Sequence, residues 1–163
     1  MGGIYAGIEP GGDLILETAV FEEFHDPYMQ GPAGQGIFLA GVLLGYMAER
    51  QVGPEGDIGK SPLFKQIQFG RMDKMNLKRI LSRVPQLLTA YREEMKYTAY
   101  MNRLGAAALE LILQADDEEM GVNGNFAFAA GFINARHYFW KLFPIKKGET
   151  TGESGEEEIN NGL

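Results

Sequence analysis

The chain has 163 residues, 45% of them hydrophobic and 11% aromatic, enough for one well-filled core and too few for two domains of ordinary size. It contains no cysteine, which excludes disulfide frameworks, thiolate zinc sites and cysteine nucleophiles and fits a reducing, cytoplasmic address. The net charge of -7, taken alone, argues against nucleic acid, because phosphate binding is driven by lysine and arginine.

The opening MGGIYAGIEPGG is too rich in glycine for a long element and lacks the charged and apolar regions of a secretory signal, so the mature chain is expected to begin near Met1. From Asp13, apolar residues at 14, 15, 16, 19, 20, 21 and 24 have helical spacing, and a short helix capped by Asp13 is expected. After the loop HDPYMQGPAGQG, a helix is predicted from about Ile37 to Gln51, closed by the Gly53-Pro54 breaker. Its apolar run ends at Ala48, short of the roughly 20 residues that span a bilayer, so it reads as a buried helix and not a membrane anchor. Gly41 and Gly45 within it permit close packing against another helix.

A polar loop through Pro62 leads to a turn of helix at LFKQIQF. Asp73 can then cap a helix whose Leu77, Ile80, Leu81 and Val84 form one apolar face, leaving Lys74, Lys78, Arg79 and Arg83 on the other side. Pro85 lacks an amide hydrogen and should begin a new helix or kink the old one. Leu87, Leu88, Tyr91 and Met95 make its apolar stripe, with Arg92 and Lys96 on the opposite face. The apolar phase then shifts at Leu104, Ala107, Ala108, Leu111 and Ile112, which predicts a break between Tyr97 and Asn102. Arg103 extends the basic ridge only if the helix continues.

The acidic run from Asp116 to Glu119 and the stretch GVNGN read as a loop, with Asn123 or Asn125 capping a last helix. Phe126, Phe128, Phe132, Phe139, Trp140 and Phe143 make that helix a core element rather than a docking face. From Gly148 the composition predicts a disordered acidic tail. The expected class is therefore all-α: a bundle of about five to six helices in a single domain over 1–147, with an irregular N-terminal segment and a flexible tail over 148–163.

Catalytic chemistry is poorly supplied by two histidines and three serines. His25-Asp26 matches the two letters of a metal phosphohydrolase signature, but that chemistry needs further histidines and acids, which His137 alone cannot provide. An EF-hand count from Asp116 fails at Met120 and Ala127, where oxygen ligands are required. No phosphate-binding glycine loop occurs. The expectation is a protein that is not an enzyme and has no metal or cofactor.

Charge is distributed unevenly. Residues 1–57 hold nine acids against the single Arg50, and residues 148–163 hold five acids and no base. Between Lys60 and Arg103 lie ten bases and three acids, an excess of seven positive charges. Cations interleaved with Tyr91, Tyr97 and Tyr100 are the mixture a sequence-indifferent single-strand groove uses, cations for phosphates and ring faces for bases. The same pattern is also what solvated helix surfaces with half-buried tyrosines produce.

FLAGVLLGYMAERQ followed by SPLFKQIQFGRMDKMNLKRILSRVPQLLTAY, together with NFAFAAGFINARHYFW, resembles the C-terminal helical region of the large subunit of type I-B CRISPR Cascade. In that family this region is also made separately as the small subunit, and a chain of this length beginning at Met1 resembles that product. The resemblance covers roughly residues 21–145 and rests on apolar, small and basic patterns. It implies a non-catalytic helical subunit present in several copies, partnered with the backbone subunits, the large subunit and the guide RNA complex, and with no membrane role. It further implies that the displaced non-target single strand of DNA is held and the R-loop stabilised. Charge and helical phase nominate Lys74, Lys78, Arg79, Arg83, Arg92, Lys96 and Arg103 as contacts. A structural adaptor without nucleic-acid contact is the alternative.

Overall fold

A helix with no charged residue from Pro32 to Ala48 has no face to offer to water, and the fold is organised around burying one. The structure, a computed structural model, describes residues 15–91, 95–115 and 119–144, with the side chains at 90, 91, 95 and 96 outside the description. Among these residues there are seven α-helices and no strand. The expected all-α class holds, with somewhat more helices than expected. The acidic tail and the proposed Asp13 cap lie outside the described residues.

The central helix, α1 (Pro32–Val52), begins before the expected Ile37, with proline at its first turn where the missing amide hydrogen costs nothing. Every residue from Gly36 to Ala48 is buried. The helix stops at Gly53, whose φ of 82° is in the left-handed region that favours glycine. Gly41 and Gly45 do what their spacing predicts: each lies against a carbonyl of α6 (Gly121–Ile133), Gly41 on Phe128 and Gly45 on Phe132, with no room for a Cβ. Gly131 of α6 reciprocates, a Cβ there falling 2.5 Å from the Phe38 carbonyl oxygen.

Before α1, the helix expected from Asp13 is instead a 3-10 helix, Thr18–Glu23, because its apolar residues serve a shorter wedge: Leu16, Val20 and Phe21 are buried while Ile15 remains 63% exposed. After α1, Ser61 caps α2 (Pro62–Lys65), accepting from Phe64 N–H at 3.0 Å, and its hydroxyl donates to Gln51 Oε1. Asp73 caps α3 (Lys74–Ser82) as expected, accepting from Asn76 N–H at 2.8 Å. Pro85 does open a new helix, α4 (Val84–Tyr91).

The break predicted between Tyr97 and Asn102 is absent, for α5 runs unbroken from Met95 to Gln114. Tyr97, Met101, Leu104 and Ala108 are all buried, and their spacing of four, three and four is one continuous helical stripe. The expected last helix is two, α6 and α7 (Ala135–Leu142), divided at Asn134. Neither Asn123 nor Asn125 caps α6; both lie inside it. Phe128, Phe132, Phe139 and Phe143 are buried as expected, whereas Phe126 is 72% exposed. Helix α1 packs most extensively on α6, then on α5 and α7, and one contiguous apolar core results. No described helix is long and apolar enough to cross a membrane.

Candidate nucleic-acid interface

The amphipathic α3 buries Leu77, Ile80 and Leu81 and turns its cations outward. Its start is positioned by contacts distant in sequence. At the start, Asn125 of α6 accepts from Met72 N–H at 2.8 Å and donates to the Met72 carbonyl at 3.0 Å, while Lys74 Nζ donates to the Ala115 carbonyl at 2.5 Å. That carbonyl lies just past the end of α5, where the helix dipole is negative and a cation is favourable. The loop before α3 turns at Gly70, φ 84°, and is pinned by Phe69, whose ring meets Phe132 edge-on at 5.1 Å.

The candidate cations separate into different environments. Arg79 and Arg83 are exposed and donate to neutral acceptors, Asn76 Oδ1 at 3.0 Å and Gln66 Oε1 at 3.2 Å. These bonds orient the guanidinium groups while leaving their charge in place. Lys78 is half-buried on the same helix. Lys74 is spent largely on the end of α5. Arg92 and the Lys96 side chain lie outside the described residues. Arg103 is 6% exposed, so its placement on the surface ridge is corrected: it lies on the inward side of α5 among Met101, Leu104 and Ala107. A buried guanidinium cannot reach a strand tracking the surface.

Of the two readings of the tyrosines, the one that packs them on the core holds for Tyr97 and Tyr100. Tyr97 is buried, and Tyr100 is half-buried and stacked on Phe143, ring centroids 4.8 Å apart and planes within 10°. Their faces are used inside the core; the Tyr91 side chain lies outside the described residues. Two exposed cations that sequence reasoning did not nominate, Lys65 and Arg71, bracket the loop that Gln66 and Phe69 tie to α3 and the core. Their membership of the basic block was the available signal.

The sequence pair His25-Asp26 has a local role: the Asp26 carboxylate accepts from Tyr28 N–H at 3.0 Å and caps a 3-10 turn. Elsewhere, a cleft of about 850 Å3 opens between the end of α1 and the α6–α7 junction, lined by Phe64, Phe69, Phe132 and Ile133 with Glu49 and Arg136 at its polar side. Arg136 Nε stands 3.7 Å from Glu49 Oε1. Burial pushes the Glu49 carboxyl above the usual glutamate range, and the Arg136 charge offsets this only in part.

No curated protein and no solved structure matches the chain. A family model does: the C-terminal domain of CRISPR-associated protein TM1802 matches residues 15–146, a span that takes in every helix described above. The chain belongs to the family of the CRISPR-associated protein TM1802 C-terminal domain.

Proposed function

We propose that this chain is the non-catalytic small subunit of a type I-B CRISPR effector, Cascade, and that the outer face of α3 holds the displaced non-target DNA strand and so stabilises the R-loop. The observation that carries the reading is the pair Arg79, in the last turn of α3, and Arg83, its C-cap, both exposed and oriented by neutral amides. Two guanidinium groups so held meet phosphates with little further ordering cost. Lys78, Arg92 and Lys96 complete the contact set, with Lys65 and Arg71 beside it. In this reading the backbone subunits, the large subunit, further copies of the chain and the guide RNA complex are the assembly it joins. With Tyr97 and Tyr100 in the core, the grip on the strand is on its phosphates, which suits a protein indifferent to sequence.

The test is binding of fluorescent single-stranded DNA across a salt series, wild type against Lys78→Glu/Arg79→Glu/Arg92→Glu. If about four phosphates are neutralised, log K falls with log salt at a slope near -3, about 0.7 per contact on a single strand. The triple variant should lose this dependence. Absence of salt-dependent binding by wild type, with the effector still assembling, would instead support the adaptor reading, which the burial of Tyr97 and Arg103 also favours.

A further inference from the structure

Helix α6 carries no charged residue in its thirteen positions, yet one of its faces is left in water. Val122, Phe126 and Ile133 are 86%, 72% and 70% exposed, and with Ala129 between them they recur at spacings of four, three and four. That is one helical ridge, about 16 Å long at 1.5 Å per residue. The inward face of the same helix is already satisfied by the glycine crossing with α1, so no rearrangement of the bundle hides the ridge. Scattered exposed apolar residues are ordinary; a row of large ones on an uncharged helix marks a protein contact.

The ridge does not end at Ile133. That residue also lines the cleft, where Phe69, itself 37% exposed, and Phe132 continue the apolar surface inward. Around this end the charge is acidic: Glu49 and Asp57 line the cleft and the exposed Glu55 lies on the same Pro54–Asp57 loop, against Arg136, which is already beside Glu49. The far end of the ridge has neighbours of both signs, since the exposed Glu119 precedes α6 and Asn125 ties the helix to Met72, which the exposed Arg71 and Asp73 flank. The surface is therefore an uncharged apolar track, acidic at the cleft and mixed in charge at the start of α6.

We propose that this track docks an amphipathic helix of a partner protein, its apolar stripe laid along Val122, Phe126 and Ile133 and its lysine- or arginine-bearing end over the cleft. Helix-in-groove recognition of this kind takes its affinity from apolar anchors spaced by three and four residues. The acidic end supplies orientation and discrimination, because a like charge brought to it is repelled. The proposal stands apart from the nucleic-acid reading, since none of the α3 cations takes part.

The experiment measures fluorescence anisotropy of two synthetic amphipathic peptides with the same leucine stripe, one ending in two lysines and the other in two glutamates, titrated with the full chain. Wild type should bind the lysine peptide more tightly by about tenfold, and Phe126→Ser/Ile133→Ser should lose about tenfold while melting as wild type does, these being exposed truncations. Glu49→Gln/Glu55→Gln should erase the preference between peptides. Val122→Ser/Phe126→Ser carries the same test if Ile133, which also lines the cleft, proves necessary for folding. No binding, equal binding of both peptides, or binding untouched by the ridge variants overturns the proposal. So does a wild-type dimer in sedimentation that Phe126→Ser/Ile133→Ser dissolves, which would give the ridge to a second copy of the chain.

Discussion

Asn125 brackets the peptide unit of Met72 across 53 residues of sequence, accepting from its N–H at 2.8 Å and donating to its carbonyl at 3.0 Å. The amide also donates to the Gly121 carbonyl at 2.9 Å, so one side chain joins the first turn of α6 to the start of α3. Asn125→Ala leaves the Met72 groups without these partners and is expected to cost about 1–3 kcal/mol in urea denaturation. Amide exchange should speed up across residues 66–82 ahead of the rest of the chain. Uniform loss of protection, with no local excess there, would show that the clamp does not position α3.

Lys74 and its neighbours on α3 separate by experiment. Lys74 serves the end of α5 through the Ala115 carbonyl, so Lys74→Met should lower stability by about 0.5–1.5 kcal/mol and leave the salt slope of DNA binding nearly unchanged. Arg79→Gln and Arg83→Gln should do the reverse: melting near wild type, slope reduced by about 0.7 for each. If Lys74→Met reduces the slope as much as either arginine change, the division between cap and contact fails.

The crossing of α1 on α6 admits no Cβ at Gly41, where the obstacle is the Phe128 carbonyl and not the end of a flexible side chain. Gly41→Ala gains roughly 1 kcal/mol of helix propensity but must push backbone apart, and a net loss of about 1–3 kcal/mol is expected in chemical denaturation. Gly105→Ala is the comparison. A Cβ there meets Leu43 Cδ2 at 3.3 Å, a group able to shift, and Val84 Cγ1 at an ordinary 3.9 Å, and the variant should be near neutral or stabilised. Equal effects at the two glycines would contradict a backbone-limited crossing.

Glu49 sets a pH dependence whose direction follows from its burial. Its native pKa is raised, chiefly by desolvation, so the folded state favours the protonated form; that contribution is present below the ordinary glutamate range and is lost as pH rises through the native value. Glu49→Gln removes the cost of the buried charge. The variant is therefore expected to be more stable than wild type at neutral pH, with the gap closing as pH falls below the glutamate range. Should the variant be less stable at neutral pH, pairing with Arg136 outweighs desolvation.

What could be read from the sequence was whatever short-range chemistry decides. Asp73 caps α3 and Pro85 opens α4 because each acts within one turn of itself. Gly41 and Gly45 announced a close helix contact, though not with which helix. The failures involve partners far along the chain. Asn125 has the chemistry of a cap and is used to hold Met72, which no local pattern reveals. The break between Tyr97 and Asn102 was predicted from an apolar phase carried over from Leu87 to Met95; α5 has its own stripe through Tyr97, Met101 and Leu104, with Arg103 buried beside it. The packing of Tyr97 and Tyr100 on the core withdrew them from the candidate site and left the outer face of α3 as the part where Arg79 and Arg83 stay exposed. The exposed ridge on α6 was missed because a row of aromatics was assigned to the interior as a unit, while Phe126 lies on the opposite side from Phe128 and Phe132.

The glycine contacts also govern how the subunit can move. Gly41 meets Phe128 and Gly45 meets Phe132, so a slip of one helical turn, about 5.4 Å, would change both pairings together. Slipped one way, Ile37 would stand against Phe128; slipped the other, Glu49 would stand against Phe132, and neither side chain fits where glycine is required. Shear between these helices, a common way for packed helices to relay a signal, is blocked in both directions. A load applied to α6 therefore passes to α1 as a rigid-body displacement.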